Sequence, residues 1–337
     1  MEIIECVPNI SEGKDEKTIT EIANVIENVE GVHLLNVDSG KDANRTVYTF
    51  VGFPEAVLEA AFQIYKYAVT NISMENHKGK HPRMGIVDVC PLIPIRNTNI
   101  EKVVAYANKL AYRVGTELEL PVYLYEANAT QAYRTRLEQI RAGEYEKFAQ
   151  KIQLYDWKPD YGPQCFNPVT GVTAIGARSY LIAYNVNLST KNVDIAKNIA
   201  AQIRESGGSY TDPQGIKHTK KPGLLQGVKS IGWYIDDFDM VQVSTNITNF
   251  KIIGLARVYE EVQKLAQEYG IDVCGSELIG LVPHDALLEA GMYFQHKHHI
   301  VNKDALESVV EYLGLNTIKS FDKHKQILEF VARLQLL

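Results

Sequence analysis

The sequence predicts an α/β (α+β) protein built from two ferredoxin-like βαββαβ subdomains. Three observations lead there. Periodicity and turn signals give the order β-α-β-β-α-β between residues 3 and 93, and the same order recurs between residues 178 and 282. Between them, Pro159, Gly162, Pro163, Pro168, Gly171 and Gly176 interrupt any repeat, as a linker or functional loop would. A chain of 337 residues also suits two domains better than one. The expected division is 1–177, 178–300 and a helical extension at 301–337, with the halves joined near residues 172–178. Paired domains of this kind commonly hold a ligand in the cleft between them.

Each element has its own signal. Ile3–Pro8 reads as a strand. Ser11 and Glu12 open a helix over Lys14–Val29, with Ile19, Ile22, Val25 and Ile26 at helical spacing, and Gly31 ends it. Val32–Asp38 and Thr46–Val51 are strands around the turn Ser39-Gly40-Lys41-Asp42. Pro54 starts a helix in the first-turn position that proline favours, with Val57, Leu58, Ala61, Phe62, Tyr65 and Val69 as its apolar stripe. Ile86–Ile93 is a strand, Ile100–Gly115 a helix, Val122–Tyr125 a strand and Gln131–Ala142 a helical piece. In the second half, Arg178–Leu188 is a strand, Thr190–Arg204 a helix and Gly207–Gly227 irregular. Val228–Ile235 and Met240–Ile247 are strands joined by Asp236-Asp237-Phe238-Asp239. A helix containing Val258, Val262, Leu265, Ala266 and Tyr269 and the strand Val273–Val282 follow. A C-terminal helix is expected to carry Ile327, Leu328, Phe330, Val331 and Leu334.

Composition narrows the function classes. Hydrophobic residues make up 45% and charged residues 23%, and the net charge is −6, which disfavours nucleic acid as a partner. No basic-then-apolar leader opens the chain and no apolar run reaches about 20 residues, so a cytoplasmic protein without a membrane segment is expected. Cys6, Cys90, Cys165 and Cys274 form no C-x-x-C pair, and reduced thiols are expected. Cys165, in a loop, is a weak candidate nucleophile, with no histidine near it in sequence. His296-Lys297-His298-His299 lacks a carboxylate or cysteine at ligand spacing and reads as a charged helix end, so no metal is expected. There is no P-loop, no G-x-G-x-x-G behind a strand, no G-x-S-x-G and no H-E-x-x-H.

The chemistry concentrates in His77-Lys78-Gly79-Lys80-His81-Pro82-Arg83-Met84-Gly85, just ahead of a strand. Histidine moves protons near neutral pH, and lysine and arginine suit an anion. Pro82 holds His81 in extended backbone, which keeps it out of a helix interior. A solvated basic cap on a helix end is the competing reading. His81 is the acid–base candidate. Asp38, ending a strand, is a candidate to stabilise its charged form or simply a turn-starting aspartate. Arg45, Lys78, Lys80 and Arg83 are candidates for an anionic substrate, with Lys220 and Lys221 behind them. Asp88, inside an apolar strand, needs a partner, for which Arg83 or Lys80 is expected.

Several motifs resemble one known family. Glu5-Cys6-Val7-Pro8-Asn9-Ile10-Ser11-Glu12-Gly13, Asn44-Arg45-Thr46-Val47-Tyr48-Thr49-Phe50-Val51-Gly52, His81-Pro82-Arg83-Met84-Gly85 with Asp88-Val89-Cys90-Pro91, Arg141-Ala142-Gly143-Glu144-Tyr145-Glu146 and Gln242-Val243-Ser244-Thr245-Asn246 are similar, in order and in register, to the formiminotransferases. The resemblance implies transfer of the formimino group of N-formimino-L-glutamate to N5 of tetrahydrofolate, in histidine degradation. It implies two α/β subdomains with folate in the cleft between their sheets, His81 as catalytic histidine, and a folate-binding loop at Gly162-Pro163-Gln164-Cys165-Phe166-Asn167-Pro168-Val169-Thr170-Gly171. Tetrahydrofolate is then a co-substrate. Animal members carry a fused cyclodeaminase, and a chain ending at Leu337 would rely on a separate one. A homodimer is compatible with the apolar C-terminal helix. Two rivals stand beside this reading: a related folate-dependent formyl transferase, and a non-catalytic ligand-binding protein with tandem ferredoxin-like domains.

Overall fold

In a computed structural model, residues 1–331 are described, apart from the side chain of Asp237; Leu334 of the expected C-terminal helix lies outside them. The chain divides into a first unit, Met1–Ser179, and a second that begins at Tyr180. Both are mixed α/β.

The first unit runs β1 (Ile3–Cys6), β2 (Asn9–Ile10), α1 (Glu16–Glu27), β3 (Val32–Gly40), β4 (Arg45–Gly52), α2 (Pro54–Asn71), β5 (Val87–Arg96), α3 (Ile100–Glu117), β6 (Val122–Leu124), α4 (Leu137–Arg141), α5 (Glu144–Lys151) and β7 (Thr173–Ala177). The expected first strand is two short segments parted at Val7-Pro8, and both lie between β4 and β5. β3 pairs with the outer edge of β4. These contacts are antiparallel, whereas β7 adds parallel to β5, and β6 parallel to β7. Local chemistry explains the helix starts. Asp15 accepts the amide of Lys17 ahead of α1, Asn99 that of Lys102 ahead of α3, and Pro54 occupies the first turn of α2. One sheet face packs on the helices: Ile4, Cys6, Tyr48, Phe50 and Leu92 are buried with Ile22, Ile26, Val57, Ile64, Val103 and Leu110. Each such side chain contributes about 1.5–3 kcal/mol by leaving water.

The second unit runs β8 (Ile182–Leu188), α6 (Val193–Ile203), β9 (Gly208–Thr211), β10 (Lys217–Lys220), β11 (Val228–Ile235), β12 (Met240–Ile247), α7 (Leu255–Glu268), β13 (Val273–Ile279), α8 (His284–Lys297), α9 (Ala305–Tyr312), α10 (Lys323–Gln326) and α11 (Leu328–Val331). Its main sheet has the order β11-β12-β8-β13, all antiparallel. Tyr184, Val186, Leu188, Val241 and Val243 face the helices, and Val309, Leu313 and Ile327 belong to the same core.

Four expectations are corrected. The segment 172–178, expected to join the halves, contains strand β7; Thr173-Ala174-Ile175-Gly176-Ala177 is too small and too close to Pro168 and Gly171 to signal a strand alone. The helical piece at 131–142 is a 3-10 turn at Ala132–Arg134 and then the short α4, because Ala142 and Gly143 leave the helical region. The irregular stretch 207–227 contains the hairpin β9/β10. The C-terminal helical signal breaks at Ile327, which bridges to Val282.

Candidate active site

The His81 loop, between α2 and β5, is pinned to the sheet by residues far away in sequence. Asn44 is its main anchor. It sits at φ 46°, a left-handed conformation that asparagine tolerates. Its Oδ1 accepts the Gly13 amide at 3.0 Å and its Nδ2 donates to the Lys78 carbonyl at 3.0 Å. The Lys80 amide donates to the Asp42 carbonyl, and Ser11 Oγ donates to the Gly85 carbonyl at 2.7 Å. Gly79 lies so close to the turn between β3 and β4 that a Cβ would stand 2.1 Å from the Ala43 carbonyl oxygen. Thus the motifs at 5–13, 44–52 and 81–85 converge.

Beneath the loop, Asp88 is fully buried between two arginines. Arg45 Nη2 donates to its Oδ2 at 2.5 Å, and Arg141 donates through Nη2 to Oδ2 and, at 3.4 Å, through Nε to Oδ1. The Met84 amide adds a bond to Oδ1 at 3.0 Å. Burial alone would raise the Asp88 pKa, but the Arg141 and Arg45 charges outweigh it and hold the carboxyl below its usual range. Burial lowers Arg45 to about 10, so it stays charged near neutral pH. One carboxylate between two guanidiniums leaves a net positive charge. The partners of Asp88 are therefore Arg45 and Arg141, not the Arg83 or Lys80 expected from sequence.

His81 is half-buried beside this cluster. Its Nδ1 lies 2.8 Å from the Pro82 carbonyl oxygen. A carbonyl can only accept, so Nδ1 carries the hydrogen and the neutral ring keeps its lone pair on Nε2. Burial and the charges of Arg45 and Arg141 push the imidazole pKa well below its usual value, against the weaker opposing pull of the Pro82 bond and Asp88. The ring is a neutral proton acceptor across the physiological range.

The other sequence candidates fall into distinct places. Arg83 is buried, with Nη1 and Nη2 on Glu144 and Glu146, Nη2 also on the His77 carbonyl, and Nε 3.4 Å from His77 Nδ1. It ties the loop to α5. Lys78 and Lys80 are exposed, with Lys80 3.5 Å from Asp42. Asp38 is half-buried on β3, opposite Val47. Cross-strand partners share a face, so Asp38 lies on the face of β4 that carries Arg45. Lys220 and Lys221 belong to the second unit, at the end of β10.

The segment 162–171 ends against the His81 loop. The Ile86 amide donates to the Thr170 carbonyl, the Val172 amide to Met84, and the Met74 amide to Val169. Tyr145 OH donates to Pro168 O at 2.6 Å, and its ring lies 5.3 Å from that of Phe166. Gly162 through Cys165 are exposed. Cys6 and Cys90, on neighbouring strands, bring their buried Sγ atoms to 3.4 Å.

Sequence reasoning missed Arg141 as a site residue, although it stood inside a quoted motif; only folding brings it to Asp88. It also missed Glu5, which is buried on β1 with Oε1 lacking a hydrogen bond, and whose pKa burial raises to about 7 against the pull of Arg178. Among the described residues, no group of three or more His, Cys, Asp or Glu side chains could hold a metal, and no helix is long and apolar enough to cross a membrane.

A neutral imidazole over a cationic Arg–Asp–Arg cluster, on a mixed α/β scaffold, is equipped for acid–base chemistry on an anionic substrate. Comparison with known proteins identifies the family. Residues 3–178 match the formiminotransferase domain, N-terminal subdomain, and residues 183–333 match the formiminotransferase domain. The chain belongs to the formiminotransferase family. It is 39% identical to a glutamate formimidoyltransferase of Streptococcus pyogenes serotype M1, over 97% of both chains. It is also 39% identical to one of Thermoplasma acidophilum, over 92% of this chain and 98% of that one. A formimidoyltransferase-cyclodeaminase of Dictyostelium discoideum is 42% identical over 99% of this chain, which spans 61% of that longer protein.

Proposed function

We propose that this chain transfers the formimino group of N-formimino-L-glutamate to N5 of tetrahydrofolate, giving 5-formiminotetrahydrofolate and L-glutamate in histidine degradation. The observation that carries the reading is His81, a neutral imidazole with Nδ1–H engaged and Nε2 basic, in a chain of this family. N5 attacks the formimino carbon and gives its proton to His81 Nε2. The tetrahedral intermediate then breaks its bond to the glutamate nitrogen, which takes that proton as it leaves. Positioned acid–base catalysis of this kind contributes about 10²–10⁴-fold. Asp38 is assigned the lesser task of stabilising the imidazolium.

The carboxylates of both substrates are assigned to Arg45, Lys78, Lys80 and Arg83, to which we add Arg141. Arg83 also braces the loop, through its bonds to Glu144, Glu146 and His77. The folate loop is assigned to Gly162–Gly171, because its end is hydrogen-bonded to the His81 loop. Strand orders β3-β4-β1-β5 and β11-β12-β8-β13 support two ferredoxin-like subdomains. The working division is 1–177, 178–300 and 301–337. A cytoplasmic homodimer served by a separate cyclodeaminase completes the reading; the full-length matches to stand-alone relatives support the last point.

The test mixes the protein with formiminoglutamate and tetrahydrofolate, acidifies, and follows the methenyl-folate absorbance. Signal from the native chain and its loss in His81→Ala, with folate still bound, is the expected result. Signal with a formyl donor alone would move the assignment to a formyl transferase. Silence with both donors despite folate binding would make the protein a binding module. Undiminished turnover in His81→Ala would remove His81 from the acid–base role.

A further inference from the structure

The second unit carries a buried polar row that the reaction above does not use. Three residues stand directly opposite one another across three strands: Trp233 on β11, Gln242 on β12 and Asn187 on β8. Glu277 on β13 stands opposite Asn185 on β8. All four lie on the sheet face away from the helices, since Tyr184, Val186, Leu188 and Val243 take the other. Gln242 and Asn187 are fully buried, and Glu277 is 8% exposed.

Hydrogen-bond chemistry orients the row from one end to the other. Indole Nε1–H only donates, so the Gln242 atom 2.9 Å from it is the amide oxygen. Gln242 Nε2 therefore donates, to Asn187 Oδ1 at 2.7 Å and to Glu277 Oε1 at 2.9 Å. That turns Asn187 so that its oxygen is used and its Nδ2 is not. Asn185 Nδ2 adds a bond to Glu277 Oε1 at 3.3 Å. Two atoms are left buried without a hydrogen-bond partner, the donor Asn187 Nδ2 and the acceptor Glu277 Oε2. Lys319 Nζ, on an exposed side chain, makes an ion pair with Oε2 at 3.7 Å, beyond hydrogen-bond reach. Leaving such atoms without a hydrogen bond costs folding free energy, and satisfying them is a standing source of ligand affinity.

We infer that Asn187 and Glu277 form a recognition site for a lactam edge, and that its ligand is the 4-oxopteridine ring of tetrahydrofolate. The inference rests on the reading of folate as acceptor substrate. The chemistry selects among the groups the two substrates offer. An amidinium only donates and would leave Asn187 unpaired. A carboxylate only accepts and would meet the Glu277 carboxylate. A lactam edge presents both: O4 accepts from Asn187 Nδ2, while N3–H or the 2-amino group donates to Glu277 Oε2. Trp233 and Gln242 act as positioning residues, because they set the Asn187 amide without supplying the free atoms.

The test compares equilibrium binding of 5-formyltetrahydrofolate with that of the same reduced ligand bearing an amino group in place of O4. That exchange puts a donor where Asn187 also donates. The native protein should favour the oxo ligand by roughly ten- to a hundred-fold, the scale of one mispaired buried hydrogen bond. Asn187→Asp should narrow or reverse the preference, and Glu277→Gln should weaken both ligands by about ten-fold. Equal binding of the two ligands by the native protein would overturn the assignment without recourse to any variant. An unchanged preference in a folded Asn187→Asp would overturn it too. If the native protein binds neither ligand, the folate reading itself falls and takes this site with it.

Discussion

Arg45 and His81 hold the same acceptor: each places a nitrogen 2.8 Å from the carbonyl oxygen of Pro82. The shared oxygen ties the imidazole to a guanidinium whose charge, with burial, holds the ring unprotonated. With its folded pKa depressed, His81 should remain neutral where a free histidine titrates. The acid limb of kcat/KM should lie below pH 6.5, and Arg141→Met, which removes one of the two depressing charges, should move it upward. A pH–rate profile of both proteins checks this; an acid limb at or above 6.5 in the native enzyme would contradict it.

The same shift has a stability consequence with a definite sign. Unfolding lets His81 take a proton at its ordinary pKa, which the folded state resists. The contribution is present above pH 6.5 and is lost as pH falls below it. In denaturant unfolding, the native protein should lose stability relative to His81→Asn as pH falls from 7 to 5, the Glu5 contribution being common to both.

Glu5 runs with the opposite ordering. Its folded pKa of about 7 stands above the unfolded value of 4.5, so stability is unaffected below 4.5 and falls as pH rises from there to about 7. The full loss is about 3 kcal/mol. Glu5→Gln should flatten that slope in pH-dependent melting curves; an unaltered slope would assign it to other groups.

Asp88→Asn should be among the most damaging single changes in the first unit. It leaves Arg45 and Arg141 facing each other across a fully buried amide. Removing one member of a buried charged cluster costs about 3–5 kcal/mol. Urea titration measures it, and a cost under 1 kcal/mol would mean that the arginines find other partners.

Gly79→Ala tests the loop without touching a charged group. A methyl 2.1 Å from the Ala43 carbonyl oxygen must push the loop outward, and His81 travels with it. Displacement of a catalytic group by about 1 Å can cost 10²-fold in rate. Turnover should fall on that scale while the circular dichroism spectrum is retained. Full activity would show that the backbone yields elsewhere.

What could be read beforehand followed local physics. The helix starts at Pro54 and near Asp15, the strands around Tyr48 and Cys90, and the concentration of chemistry at His81 each depend on a few neighbouring residues. Arg141 could not be weighed the same way, since its value lies in a bond to Asp88, 53 residues away. Arg83 showed the reverse: its charge was visible, and its use by Glu144 and Glu146 was not. Strand β7 hid because a parallel strand buried on both sides needs neither alternation nor bulk, and its small residues gave no signal. The row Trp233–Gln242–Asn187 was invisible for a simpler reason: register across three strands is not a property of any one of them.

The anchoring of the His81 loop also bears on how the protein matures. Its restraints span 31 residues from Gly13 to Asn44, 34 from Asn44 to Lys78, 53 from Asp88 to Arg141 and 74 from Ser11 to Gly85. Long loops must close before such bonds form, so they come late relative to helices. A chain emerging from the ribosome can coil α1 and α2 well before the His81 loop is fixed, because Arg141 has yet to be made. The ordered His81 loop is a late acquisition in the life of this polypeptide, and a refolding reaction followed by turnover should lag the same reaction followed by helicity.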